Sequence, residues 1–547
     1  MKLRDRSPDL IVHNAQIHTL DDDNLVVEAI AIKDGRILAL GTSTEVKRLS
    51  GPGTRSVNAG GRTALPGFLD GHIHLLEVGI DMSWLRLNDC QSIEEMMEMV
   101  RRRAEETPPG QWIIGRGWME TRFKEGRLPT RRDIDAVTTE HPVVLMRRFQ
   151  AYVVNTQVLQ IVGIDEETPD GEWGPIGRDA SGVPNGMLWG SAKNAIQAHL
   201  PEPSVAEMKD ALHLAVDEML HFGVTSIIEP GLRPWEIGAY QSLYDDGDLS
   251  LRINALLSWY GYWANLEDDE ILAHRVQQMG VHSGFGDEWL RIGALKMAVD
   301  VAFIPPADED QVEEGDDMPV FLRLDFDALD EYFETAHELM WDVGIHVHSD
   351  RLQEKVSEVF AETARRIPRP DARHSIIHGN FPTPRALDLM AEYDVANVAQ
   401  PVSFYFNGFG SVENERYRDN FKPGRRYLDH GVRLVASSDK PYQESANPFL
   451  GLYAMVSRKD KEGHPIAPHE AISREEALRA YTTAGTWLTR EEHLKGTLEI
   501  GKFGDMILID QDYFSVSEEQ IKDILVDMTI LDGEIVHDRM TESSYED

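Results

Sequence analysis

The sequence predicts an α/β protein, a (β/α)8 TIM barrel with a small β-sandwich domain built from both chain ends and an inserted α/β subdomain. Three observations carry this reading. Eight short apolar runs along the chain read as buried strands, with amphipathic stretches between most of them. Both ends are rich in short alternating strands. A segment too long for a loop lies between the first apolar run and the second.

At the N-terminal end, Ala29–Ala39 alternates and turns at Asp34-Gly35, a hairpin signal. At the C-terminal end, Asp505–Asp510 reads as a strand and Thr529–Val536 as a hairpin turning at Asp532-Gly533. Residues 1–64 and 487–537 are therefore assigned to one composite sandwich, although two separate capping hairpins would leave the same pattern. The barrel is assigned 65–83 plus 204–486. Its first strand is read in Thr63–Leu69, the others in Val224–Glu229, Leu251–Leu257, Leu290–Val299, Val343–Val347, Ser375–His378, Val395–Ala399 and Arg433–Ser437. Phe326–Trp341 and Gln353–Arg366 read as amphipathic helices, and capping boxes open helices at Ser204-x-x-Glu207 and Ser473-x-x-Glu476. The inserted subdomain, 84–203, has apolar patches of its own at Gln111–Gly115 and Pro142–Met146. Asp308–Asp317 reads as a mobile acidic loop near the barrel mouth, and 538–547 as a flexible tail.

Bulk composition limits the function classes. A 41% hydrophobic and 27% charged chain of 547 residues is globular, with room for one large domain and one or two smaller ones. There is no run of about 18 apolar residues to span a membrane, and the N-terminus lacks the apolar core of a signal peptide, so a cytoplasmic protein is expected. The single cysteine, Cys90, excludes an intrachain disulfide and a cysteine-based zinc site. A net charge of −40 argues against a nucleic-acid partner. Only 15 of the 54 basic residues are Lys, and abundant carboxylates with scarce Lys are what a halophilic protein displays.

The chemistry begins at Asp70-Gly-His-Ile-His74. On a strand, residues i and i+2 face the same side, so His72 and His74 can aim two imidazoles at one point. A barrel gathers its chemistry at the carboxyl ends of its strands. The other predicted strand ends supply Lys296, His346, His378 and Asp439. Singly each has a plain explanation: Lys296 can snorkel, a lone histidine is usually a core residue, and Asp439 can cap a helix. Jointly, residue types and positions agree on a metal site.

The set resembles the amidohydrolase superfamily, and within it the amidohydrolase-3 group that includes the YtcJ-like proteins and N-substituted formamide deformylases. The resemblance rests on Leu65-Pro-Gly-Phe-Leu-Asp-Gly-His-Ile-His74, Gly293–Asp300, Ile345–Asp350, Ile377-His378, Ser437-Ser-Asp439, Glu476–Tyr481 and Lys495–Asp505, and covers nearly the whole chain. It implies one or two divalent metal ions, usually zinc. His72, His74 and Asp439 would hold the more buried ion, His346 and His378 the second, and Lys296 would bridge them as a carbamate formed with carbon dioxide. Burial of Lys296 in an apolar strand favours the neutral amine that this reaction needs. The implied activity is hydrolysis of a non-peptide C–N bond, in an amide or N-acyl compound, by a metal-activated hydroxide, with Asp439 shuttling the proton and His378 assisting. The alternatives are a deaminase or cyclic-amide hydrolase on the same scaffold, and a non-catalytic small-molecule-binding protein.

Three departures from the group's pattern bear on substrate. Gln150 stands where a His is usual, Asp300 is followed by Val301-Ala302 instead of Gly-Ser, and His346-Val-His-Ser-Asp350 adds His348, read as a supporting or core imidazole. Trp118, Gln150, Glu229, Asp300, His348 and Gln400 are the pocket candidates. The expected partner is a small-molecule substrate, with neither nucleic acid nor membrane, and a homodimer is the expected assembly. The charge balance yields a first prediction: the urea or thermal midpoint should rise with molar KCl, and a midpoint indifferent to salt would contradict a halophilic origin.

Overall fold

The computed structural model describes residues 7–147, 151–170, 175–197, 199–259, 278, 280–300, 326–407 and 419–542. Eight parallel strands form the barrel: β1 Phe68–Asp70, β2 Val224–Leu232, β3 Arg252–Ser258, β4 Leu290–Ala298, β5 Val343–Val347, β6 Ser375–His378, β7 Ala396–Ala399 and β8 Leu434–Ala436. They pair in sequence order from β1 to β8. The ring is drawn together between its ends by the Gly71 N–H, which donates to Ala436 O at 3.0 Å. Most strand residues are buried, as expected of parallel strands covered on both faces. Amphipathic helices at Phe326–Glu338 and Asp350–Arg366 cover the outside next to β5.

The run Thr63–Leu69 is not one strand. Thr63–Pro66 pairs antiparallel with Met506–Ile509 in the terminal sheet, and only Phe68–Asp70 enters the barrel. The switch falls at Gly67, where a Cβ would lie 2.3 Å from Thr225 Oγ1, so only a glycine lets the chain pass β2 this closely. The two chain ends, expected to make a sandwich, are hydrogen-bonded into one continuous sheet. Leu10, Val12, Ile30 and Ile32 from one end share a core with Met506, Leu508, Met528 and Ile530 from the other. The hairpins turn where the sequence places them, with Asp34, Gly35, Asp532 and Gly533 all at positive φ. Asp538 closes the last strand and Arg539–Glu542 form a short helix, so secondary structure runs into the segment read as a tail. The acidic run 308–317 lies outside the described residues.

Contacts divide the chain into two compact units, 1–75 with 215–547, and 76–214. The second unit has a six-stranded sheet and its own cores, built on Leu87, Met96, Val100, Ile113, Leu145 and Val153 on one face and Val144, Tyr152, Val158 and Leu188 on the other. Helix Val205–His221 opens with the predicted capping box, Ser204 and Glu207 exchanging side-chain to backbone bonds.

One buried ion pair ties the terminal sheet to the barrel. Arg252 on β3 holds Asp505 with bonds of 2.7 and 3.1 Å, both side chains 5% exposed or less, while Asp505 also accepts from Asp532 N–H. Removing Asp505 leaves the buried Arg252 guanidinium with only the longer 3.4 Å contact to Asp532 Oδ1 for a carboxylate partner. Asp505→Ala should therefore cost about 3–5 kcal/mol, read as a lowered urea midpoint; a change within experimental scatter would contradict the pair's role.

Candidate metal centre

The predicted ligands gather at the carboxyl ends of the barrel strands. His72 and His74 sit in the loop just past β1 instead of on the strand. Their Nε2 atoms lie 3.4 and 3.6 Å from Asp439 Oδ1, and their rings stand nearly perpendicular with centroids 5.3 Å apart. Backbone bonds hold this arrangement: Asp439 N–H donates to His72 O at 2.7 Å, and His74 N–H to Lys440 O at 3.0 Å. Gly71 makes the approach possible, because a Cβ there would lie 2.5 Å from Val435 Cγ1. The buried Asp70 carboxylate clamps the two loops, accepting from His72 N–H at 3.1 Å and Ser438 N–H at 3.0 Å. Burial pushes the Asp70 carboxyl up to about 6, opposed by those bonds.

The second cluster rises from β5 and β6. His378 Nε2 and His346 Nδ1 lie 2.8 Å apart, and His378 Nδ1 meets Gln400 Oε1 at 2.7 Å. Asp300, wholly buried, accepts from the backbone N–H groups of His348 and Ser349 and from His348 Nδ1, and lies 3.6 Å from His346 Nε2. His346, His348 and His378 can bring one nitrogen each within 4.8 Å of the others. The His348 ring, however, lies flat on that of His378, 14° between planes and 4.4 Å between centroids. A metal lies in the plane of each imidazole it binds, so the two stacked rings as placed cannot share one ion. His378 and Asp439 are also among the few non-glycine residues at positive φ, +77° and +59°. Such backbone costs about 1–3 kcal/mol each and clusters at functional sites.

Lys296, wholly buried on β4, links the clusters. As an ammonium it would depress the pKa of His72, His74, His346 and His378 and pull on Asp439. Burial is the larger cause at each histidine and takes His74 down to about 3. All four imidazoles are thus neutral, the form that ligates a cation. Burial pushes the Asp439 carboxyl up to about 7, against the pull of Lys296 and Lys422.

The residues fit a metal. Ligand bonds of about 2.0–2.1 Å around a tetrahedral ion put neighbouring ligand atoms about 3.3–3.4 Å apart. The His72–Asp439 and His74–Asp439 separations of 3.4 and 3.6 Å are close to that and too long for good hydrogen bonds. His346 Nε2 is buried with no hydrogen-bond partner among the described residues, as occurs where an ion completes a site.

The pocket candidates fall in different places. Glu229, at the barrel's second strand, accepts from Leu75 N–H at the start of the helix after His74. Asp300 and His348 brace the second cluster, and Gln400 stands behind His378. Trp118 is enclosed in the core of the second unit, with Nε1 donating to Leu145 O at 3.0 Å, so its indole serves packing there. Gln150 lies outside the described residues. Sequence reasoning missed Asp70 and Lys422. Asp70 lay in view inside Asp-Gly-His-Ile-His, but nothing local marks Lys422, whose Nζ reaches Gln400 Oε1 at 3.0 Å.

Residues 55–537 match the amidohydrolase family. The chain belongs to that family. It is a metal-dependent hydrolase acting on non-peptide C–N bonds. This amidohydrolase is 27% identical to an N-substituted formamide deformylase of Arthrobacter pascens, over 97% of this chain and 98% of the relative. It is 26% identical to the protein YtcJ of Bacillus subtilis, over 97% and 99%. Among solved structures, an uncharacterised metal-dependent hydrolase of Pyrococcus furiosus matches with a TM-score of 0.74 and 24% identity, over 92% of this chain and all of that one, a likeness of fold. Among the described residues no helix is long and apolar enough to cross a membrane.

Proposed function

We propose that this amidohydrolase cleaves a small amide or N-acyl compound at a centre of one or two divalent ions, zinc foremost. The observation that carries the reading is the convergence of His72 and His74 on Asp439, beside a second imidazole cluster, with Lys296 in electrostatic reach of both. His72, His74 and Asp439 would hold one ion, and His346 and His378 the other. Lys296 would supply a carbamate to the centre: a neutral amine there would add carbon dioxide and release a proton, giving an anionic oxygen ligand. A divalent ion bound there would supply an acidified water and a Lewis acid for the substrate carbonyl.

The protein's groups do the rest. Burial keeps the four imidazoles neutral and oriented. Asp70 holds the His72 and Ser438 backbones, and so the spacing of His72 and Asp439. Asp439 takes the proton of the attacking water and hands it to the leaving nitrogen, which departs as a neutral amine. His378 assists as the imidazole that would hold the second ion, its ring fixed by Gln400.

A relative that acts on N-substituted formamides directs the first screen to N-formyl and N-acetyl amines. Asp439→Asn should lower turnover by about 10²–10⁴-fold while elemental analysis still finds much of the metal. Near-normal turnover in that variant would contradict the proton-shuttle role, and a wild-type protein that neither binds metal nor hydrolyses any amide offered would overturn the reading as a whole.

A further inference from the structure

Gln400 follows β7, its side chain wholly buried behind His378 and every atom of its amide engaged. Nε2 donates to Val398 O at 3.0 Å and to Ser437 Oγ at 3.2 Å. Ser437 Oγ spends its own proton on Ala399 O at 2.9 Å, so towards Gln400 it can only accept. On the other side, Oε1 accepts from Lys422 Nζ at 3.0 Å and meets His378 Nδ1 at 2.7 Å. Turning the amide over would set its carbonyl against the Val398 carbonyl and the Ser437 lone pairs, and its NH2 against the Lys422 amine. The orientation of Gln400 follows from its surroundings and needs no assumption about the amide itself.

The consequence falls on His378. A neutral imidazole carries one proton, on one nitrogen. Because Oε1 can only accept, Nδ1 must carry the proton, and Nε2 is left with its lone pair facing the second cluster. In the 2.8 Å contact with His346 Nδ1, that Nε2 is then the acceptor and His346 Nδ1–H the donor.

The brace is itself firmly built. Lys422 adopts a left-handed backbone, φ +44°, unusual for a residue with a Cβ. Its N–H donates to Asn380 O at 2.8 Å, and its carbonyl accepts from Arg458 Nη1 at 3.0 Å. The Arg458 side chain is buried and also donates to Phe421 O at 2.8 Å and Ile466 O at 3.0 Å. A buried lysine on a strained and tethered loop is spent on directing one amide oxygen.

We infer that Gln400, braced by Lys422, is a positioning residue that sets which ring nitrogen of His378 carries the proton, leaving Nε2 bare for a cation. Supporting bonds of this kind fix the tautomer of ligating histidines, and losing one costs about 10–100-fold in metal affinity. The inference rests on the metal reading above, but its first readout needs no metal. In metal-depleted protein labelled with 15N-histidine, the His378 signals, assigned by their loss in His378→Asn, should show a single tautomer protonated at Nδ1. Gln400→Leu should populate the tautomer protonated at Nε2 and weaken zinc binding, measured against a competing chelator, by about 10–100-fold. Lys422→Met, which removes one of two donors to Oε1, should move both readouts in the same direction by less, and it serves alone if Gln400→Leu does not fold. A wild-type His378 protonated at Nε2, or unchanged tautomer signals in both variants, would overturn the inference. A wild-type protein with the expected tautomer that binds no zinc would instead overturn the metal reading and leave the positioning role standing.

Discussion

The centre depends on one close approach, where the loop after β1 meets the loop after β8. Gly71 has no Cβ, so the two backbones can bond directly, and Asp439 and His72 are joined by a backbone bond of 2.7 Å. Asp70 then takes N–H groups from both loops with one buried carboxylate. Residues from opposite ends of the barrel sequence thereby become neighbours with ligand spacing. A larger residue at 71 would separate the loops, and the ligand set with them.

Around this approach the protein concentrates imidazoles and lysines in a buried space. Four neutral histidines, Lys296, Lys422 and Asp439 face or brace one another with little water to screen them. Burial and the lysines keep the histidines unprotonated, and each unprotonated nitrogen is a lone pair needing a positive partner. A divalent cation would meet that need for several lone pairs together. Behind the candidate ligands, Gln400 holds the His378 ring so that its bare nitrogen points inward, and Asp300 holds the neighbouring His348 ring. The strained backbone at His378 and Asp439 shows the fold holding these residues in conformations they would not take alone.

Much of this was legible in the sequence, because strands buried on both faces are written as short apolar runs and a barrel puts its chemistry at their ends. His72, His74, Lys296, His346, His378 and Asp439 could be read from type and position together. What escaped is tertiary. Thr63–Leu69 looks like one strand because only Thr225, far along the chain, shows why Gly67 must divide it. Trp118 reads equally as pocket or core until its indole N–H is seen on Leu145. Lys422 carries no local signal, since its task is defined by Gln400 and Arg458, neither of them near it in sequence.

The central claim is that His72, His74 and Asp439 bind a metal ion together. Anomalous X-ray scattering at the zinc edge, from crystals of the zinc-loaded protein, tests it most directly. The expected result is a peak about 2.0–2.2 Å from the Nε2 atoms of His72 and His74 and from the Asp439 carboxylate. Zinc bound only elsewhere, for example at the Asp460, Glu462 and His464 cluster, with no peak between His72, His74 and Asp439, would contradict it.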